Sequence, residues 1–118
     1  MLNRTADLDL TFQALADPTR RAMMERLSRS PASVSELARP LAMSFPAVMQ
    51  HVSVLLESGL VVSEKIGRVR ICRIEPAALR RADDWINARR AEWDRRLDRL
   101  GEHRATLTDT GGQDDTHR

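Results

Sequence analysis

Apolar positions recur at helical spacing through the first half of the chain. Leu8, Phe12 and Leu15 fall at i, i+4 and i+7 and predict a short first helix. "DPTRR" follows, with Asp17 suited to cap a helix and Pro18 suited to its first position, where a missing N–H costs nothing. The second helix so begun carries Met23 and Leu27 inward and ends near Pro31. "SVSE" has the capping-box spacing of Ser33 and Glu36 and opens a third helix through Leu37 and Leu41, which Pro40 brings to its end. Ser44 is the next N-cap, Pro46 is tolerated in the first turn, and a fourth helix runs over 45–58 until Gly59 supplies a left-handed C′ residue. Two helices joined by a few residues, the second tightly capped, have the helix-turn-helix outline.

The period changes after Gly59. "LVVSEK" and "RVRICRI" are rich in β-branched residues and meet at Ile66-Gly67, which predicts a β-hairpin over 61–74. Pro76 opens a long helix reaching about Thr106. Along it Leu79, Ile86, Trp93, Leu100 and Leu107 lie seven apart; Ala82 and Leu97 widen the stripe, and Arg89, Arg96 and Gly101 weaken it. Seven-residue spacing over that length suits a helix that packs lengthwise on a partner helix, although packing on its own domain would use the same stripe. The fold class expected is mainly α with a small β-hairpin: a winged helix-turn-helix with a long C-terminal dimerisation helix. Residues 1–6 read as a flexible arm, 7–108 as the folded domain, and 109–118, polar and glycine-containing, as a disordered tail.

On a helical wheel of the fourth helix, Phe45, Val48, Met49, Val52, Leu55 and Leu56 share one arc, the face for burial. Pro46, Ala47, Gln50, Val54 and Glu57 fall opposite, flanked by His51 and Ser53. A solvated helix face normally carries Lys, Glu and Arg, yet the first two turns have none. Small residues permit close approach to a major groove, Gln can bond bidentately to adenine, and an Ala methyl can pack on a thymine methyl. Ser44 and the helix N-terminus favour a phosphate. By itself this face is equally an ordinary surface or a protein interface. The hairpin changes the balance, because Lys65, Arg68 and Arg70 cluster around its tip, and a basic hairpin after a helix-turn-helix is a wing able to reach DNA backbone or minor groove.

Composition sets limits around this reading. The 118 residues are about one domain's worth, and 42% hydrophobic with 31% charged residues suits a globular protein without a membrane span. Asp7 and Asp9 interrupt what a signal peptide would need as its apolar core. The single cysteine, Cys72, excludes an intramolecular disulfide and agrees with a reducing cytoplasm. Net charge is only +2, but residues 1–108 carry 18 basic and 14 acidic side chains, and Lys65, Arg68, Arg70 and Arg73 form a stretch without an acid. All bases but Lys65 are Arg, which favours bidentate phosphate contact and is also what GC-rich codon usage produces.

The chain closely resembles the ArsR-type winged helix-turn-helix repressors of bacteria. The resemblance covers roughly residues 10–100. It rests on "ALADPTRRAMMERL", "SVSELARPLAMSFPAVMQHVSVLLESGLV", "GRVRICRIEPAAL" and "DDWINARRAEWDRRLDRL". It implies a homodimer built through the first and last helices, which assigns Leu8, Phe12, Leu15, Leu79, Ile86, Trp93, Leu97, Leu100 and Leu107 to the interface. It implies two recognition helices in successive major grooves of an imperfect palindrome, and repression by occluding a promoter, in some members their own. On that pattern Ser44, Pro46, Ala47, Gln50, His51 and Ser53 match recognition positions, and Lys65, Arg68 and Arg70 match the wing. Members that sense metals through paired cysteines have them where this chain has Ala38 and Pro40, so soft thiolate ligation is excluded there. Asp94, Asp98, Glu102 and His103 lack the Asp-x-His unit of other members, and no metal or cofactor is expected. The partners expected are double-stranded DNA and a second copy of the chain, with no membrane. An enzyme is not expected, since no glycine-rich phosphate loop or acid pair is present. Two alternatives remain open: a winged helix used only for protein contact, and a redox-responsive repressor switched at Cys72.

Overall fold

The computed structural model describes residues 4–107, with side chains described over 7–101. The chain runs α1 (Arg4–Leu15), α2 (Pro18–Leu27), β1 (Ala32–Ser33), α3 (Val34–Ala38), α4 (Phe45–Glu57), β2 (Val61–Ile66), β3 (Val69–Ile74) and α5 (Pro76–Leu107). Helix α1 already begins at Arg4, so the last residues of the expected arm are helical. The expected tail over 109–118 lies outside the described residues. Contacts separate two units inside what the sequence presents as one domain, Met1–Asp83 and Asp84–Arg118.

The starts of α2, α3 and α4 each follow from a local side-chain bond. Asp17 is extended (φ −108°, ψ 131°), Pro18 follows at the start of α2, and the Asp17 carboxylate accepts the Arg20 N–H at 3.0 Å. At α3 the capping box is complete: Glu36 N–H donates to Ser33 Oγ at 3.1 Å, and Ser33 N–H donates to Glu36 Oε1 at 2.8 Å. Ser44 Oγ accepts the Ala47 N–H at 3.3 Å and starts α4. Each such cap stabilises its helix by about 1 kcal/mol. The Asp17 and Glu36 carboxyls are both held below their ordinary range, chiefly by the backbone N–H groups of Arg20 and Ser33. Their contribution is therefore present at neutral pH and is lost as pH falls through that lowered range.

One helix end departs from the sequence pattern and one follows it. Helix α3 stops at Ala38 rather than reaching Leu41, because Pro40 has no N–H to continue the ladder after Arg39 N–H bonds Ser35 C=O at 3.1 Å. Leu41 turns back instead, donating to the Ala38 carbonyl at 2.9 Å. At the end of α4, Ser58 Oγ donates to the Leu55 carbonyl at 2.7 Å and accepts the Leu60 N–H at 3.1 Å, while Gly59 takes φ +82°.

The hairpin pairs Val61 with Ile74 through to Ile66 with Val69, so its two-residue turn is Gly67-Arg68, one position later than the pattern suggests, with Gly67 at φ +65°. A third strand, not anticipated, completes an antiparallel sheet of order β1-β3-β2, with Ala32 opposite Cys72 and Ser33 opposite Ile71.

In the first unit the core gathers Met23, Leu27, Leu37, Val48, Val52, Leu55, Leu60 and Cys72, all buried. Met49 and Leu56 pack partly against it, and so does Val54, which the wheel places on the outer face. Phe45 is a correction: the wheel puts it on the buried face, but at the first position of α4 it lies beyond the core and is 54% exposed. Thr11 is buried in α1, donating to the Asp7 carbonyl at 3.0 Å with its hydroxyl 3.5 Å from the Ser58 carbonyl. Among the described residues, no buried side-chain nitrogen or oxygen lacks a partner.

Candidate nucleic-acid interface

Helix α4 presents the expected outer face. Ser44, Pro46, Gln50 and Ser53 are exposed and Ala47 is half-buried. The Ser44 hydroxyl is engaged by the Ala47 N–H, so it holds the helix start in place as well as facing solvent. His51 differs from the others. It is half-buried, with Nδ1 3.1 Å from Arg20 Nη1 and 3.8 Å from Asp17 Oδ2. The sequence pattern misses Arg20 altogether. Its Nε donates to the Ala14 carbonyl at 2.8 Å and its Nη2 to the Gln13 carbonyl at 3.0 Å, so one side chain ties the end of α1 to α4. The only local sign of this is "DPTRR", where the cap and the clamp are three residues apart.

The wing holds its cations at the tip. Lys65, Arg68 and Arg70 are all exposed, and Lys65 stands directly opposite Arg70 in the strand register. Like charges directly opposite destabilise a hairpin. Arg70 leans away from that neighbour and donates from Nη1 to Ser63 Oγ at 2.8 Å. Ile66 and Val69 flank the turn and are exposed as well. A polyanion laid along this tip would relieve the repulsion between the cations. Helices α3 and α4 with the β2–β3 wing thus form a winged helix-turn-helix, and α4 packs on β2 at the wing's base.

Cys72 sits under the wing, fully buried on β3, and burial pushes its thiol pKa up against a smaller opposing pull from Arg70. A protonated, shielded thiol is a poor target for oxidants. Peroxide treatment is expected to leave DNA affinity the same in the unmodified protein and in Cys72→Ala. Loss of affinity in the former alone would reinstate the redox switch.

Of the residues assigned to a dimer seam, Leu8, Phe12 and Leu15 are half-buried on α1, while Leu79 is exposed near the start of α5. In the second unit Ile86, Trp93, Leu97 and Leu100 are all exposed on α5, joined by Trp85, whose ring lies 5.0 Å from the Arg89 guanidinium. Arg89 also pairs with Glu92 at 3.4 Å. The side chain of Leu107 lies outside the described residues.

A winged helix-turn-helix with a small α4 outer face, free of Lys, Arg, Asp and Glu in its first two turns, and a basic wing is the architecture of one class: a DNA-binding transcriptional regulator. The helix-turn-helix domain family matches residues 15–64. The chain is 42% identical over 106 residues to the HTH-type transcriptional regulator Rv2034 of Mycobacterium tuberculosis, covering 90% of this chain and 92% of that one. Among solved structures it is similar to the ArsR family transcriptional regulator RHA00566, at 45% identity and TM-score 0.73 over 80% of this chain and 97% of that one. It is also similar to an ArsR-like transcriptional regulator from Rhodococcus sp. RHA1, at 34% identity and TM-score 0.73 over 91% and 97% of the two chains. The chain belongs to the ArsR family of transcriptional regulators. Among the described residues, no helix is long and apolar enough to cross a membrane.

Proposed function

We propose that the protein is a cytoplasmic homodimeric repressor that occupies an imperfect palindrome in a promoter, possessing no catalytic activity of its own. The observation that carries this reading is the charge arrangement of the unit Met1–Asp83. Lys65 and Arg70 stand opposite each other in the strand register beside Arg68 on the wing, while α4 of the same unit offers an outer face without Lys, Arg, Asp or Glu in its first two turns. The wing supplies phosphate attraction, and the helix supplies contact with base edges. Gln50, exposed and with no side-chain hydrogen bond within the described residues, is the reading residue; Ala47 beside it permits close approach. Ser44, Pro46 and Ser53 line the same approach, and Leu8, Phe12, Leu15 and the α5 stripe through Leu79, Ile86, Trp93, Leu97 and Leu100 hold the two copies together.

A gel-shift series with the DNA upstream of the protein's own gene tests the reading. Affinity is expected to fall steeply with added salt, in proportion to the phosphates neutralised. Gln50→Ala is expected to relax preference at one base pair, a cost of about 1–3 kcal/mol, whereas Arg68→Ala is expected to weaken all sequences nearly alike and to flatten the salt dependence. Unchanged sequence preference in Gln50→Ala would move the reading face elsewhere on α4. Absence of any salt-dependent duplex binding would favour a winged helix that contacts only proteins.

A further inference from the structure

Arg20 holds three acceptors at once. Its Nε and Nη2 donate to the Ala14 and Gln13 carbonyls in the last turn of α1, and its Nη1 lies 3.1 Å from His51 Nδ1 on α4. Those carbonyls are among the groups a helix end leaves without intrahelical partners, and they carry the negative end of its dipole, so the guanidinium is well anchored. A guanidinium has five N–H donors and no acceptor. The hydrogen bond to His51 therefore requires a lone pair at Nδ1, and the single proton of the neutral ring must be at Nε2. Asp17 does not compete for Nδ1. Its Oδ2 is 3.8 Å away, beyond hydrogen-bond reach, and already accepts the Arg20 backbone N–H at 3.0 Å.

The other side of the ring is open. Among the described residues His51 Nε2 has no partner, and no buried side-chain nitrogen lacks one, so Nε2 reaches solvent. His51 stands one turn beyond Ala47 and next to Gln50 on α4.

We propose that Arg20 locks His51 in its Nε2–H tautomer and that this ring N–H is a hydrogen-bond donor to an acceptor atom of bound DNA. This rests on the reading of α4 as the recognition helix and gives His51 a defined polarity there. A fixed donor takes a purine N7, guanine O6, thymine O4 or a phosphate oxygen, and is refused by the amino group of cytosine. His51 is then a contact residue and Arg20 a positioning residue that acts through it.

Long-range proton–nitrogen spectra of the full chain without DNA, recorded above the ordinary imidazole titration range, read the tautomer directly. The Nε2–H form is expected for His51, and Arg20→Met is expected to turn it into an average of both forms. A ring protonated at Nδ1, or already averaging with Arg20 present, would overturn the lock. The donor role is read separately with His51→Phe, which leaves the Arg20 bonds to Gln13 and Ala14 in place should the Arg20 variant fold poorly. With a normal circular dichroism spectrum, His51→Phe is expected to bind the operator about tenfold more weakly, the size of one interfacial hydrogen bond. A loss confined to one base pair assigns the acceptor to a base edge, and an equal loss on every sequence assigns it to phosphate. Unchanged affinity would overturn the donor role. If the unmodified protein binds no duplex, the DNA reading of α4 fails instead, and the ring spectrum still judges the lock.

Discussion

Trp93→Asp is expected to yield a monomer that no longer binds its operator tightly. Trp93 is 56% exposed and Leu100 57% exposed on α5; Ile86 shares their seven-residue spacing and Leu97 widens the stripe, and both are exposed. Contiguous apolar exposure of this kind marks an interaction surface. A Trp side chain can bury about 150–250 Å². Covering half of that in each of two protomers, at about 25 cal/mol per Å², stabilises a dimer by about 4–6 kcal/mol. A two-fold interface repeats every substitution, so two carboxylates would also face one apolar seam. The dimer dissociation constant is therefore expected to rise about a thousandfold or more. Sedimentation equilibrium measures it, and a gel shift reports the loss of linked half-site binding. An intact dimer would remove α5 as the seam.

Leu55→Ala is expected to cost about 2–5 kcal/mol of folding stability. Leu55 is 1% exposed in the core toward the end of α4, and truncation there leaves a cavity. Each kcal/mol lowers the melting temperature of a domain of this size by about 4–8 °C. Phe45→Ala, ten residues earlier on the same helix, is expected to change stability by no more than about 0.5 kcal/mol, because the ring already stands in solvent. Thermal melts at one protein concentration compare the two, which keeps dimer association equal. Equal losses would mean that Phe45 is packed after all.

These residues also mark how much the sequence could tell. The caps at Asp17, Ser33 and Ser44 and the left-handed glycines 59 and 67 were legible because each depends on its own neighbours in the chain. The β-branched runs of β2 and β3 and the small α4 face, free of Lys, Arg, Asp and Glu in its first two turns, were legible for the same reason. Strand β1 was not. Two residues show no period, and Ala32 and Ser33 are extended because Cys72 and Ile71 pair with them from across the fold. Phe45 misled because a wheel treats every turn as equally close to the core, and the first turn of α4 is not. The Arg20 clamp needs the end of α1, the cap of α2 and a residue of α4 to converge, and no linear pattern records that. His51 was legible as a member of the α4 face, but its buried half was hidden by the same convergence.

Strand β1 reaches only Ile71 and Cys72 of β3, so the wing is three-stranded midway along its length and two-stranded from Lys65 to Arg70. Paired ribbons without a third strand are weak by themselves and twist more readily. Its layout is that of a cantilever: Cys72 has strand partners on both sides, and the cations sit beyond that support on the two-stranded part. Minor-groove width varies with DNA sequence. On the proposed reading of the wing as a DNA contact, a lever yielding at its tip would follow that variation while its supported part passed little of it to α4. On that reading, tolerance of DNA shape and discrimination among bases would fall to different parts of one small sheet and its neighbouring helix.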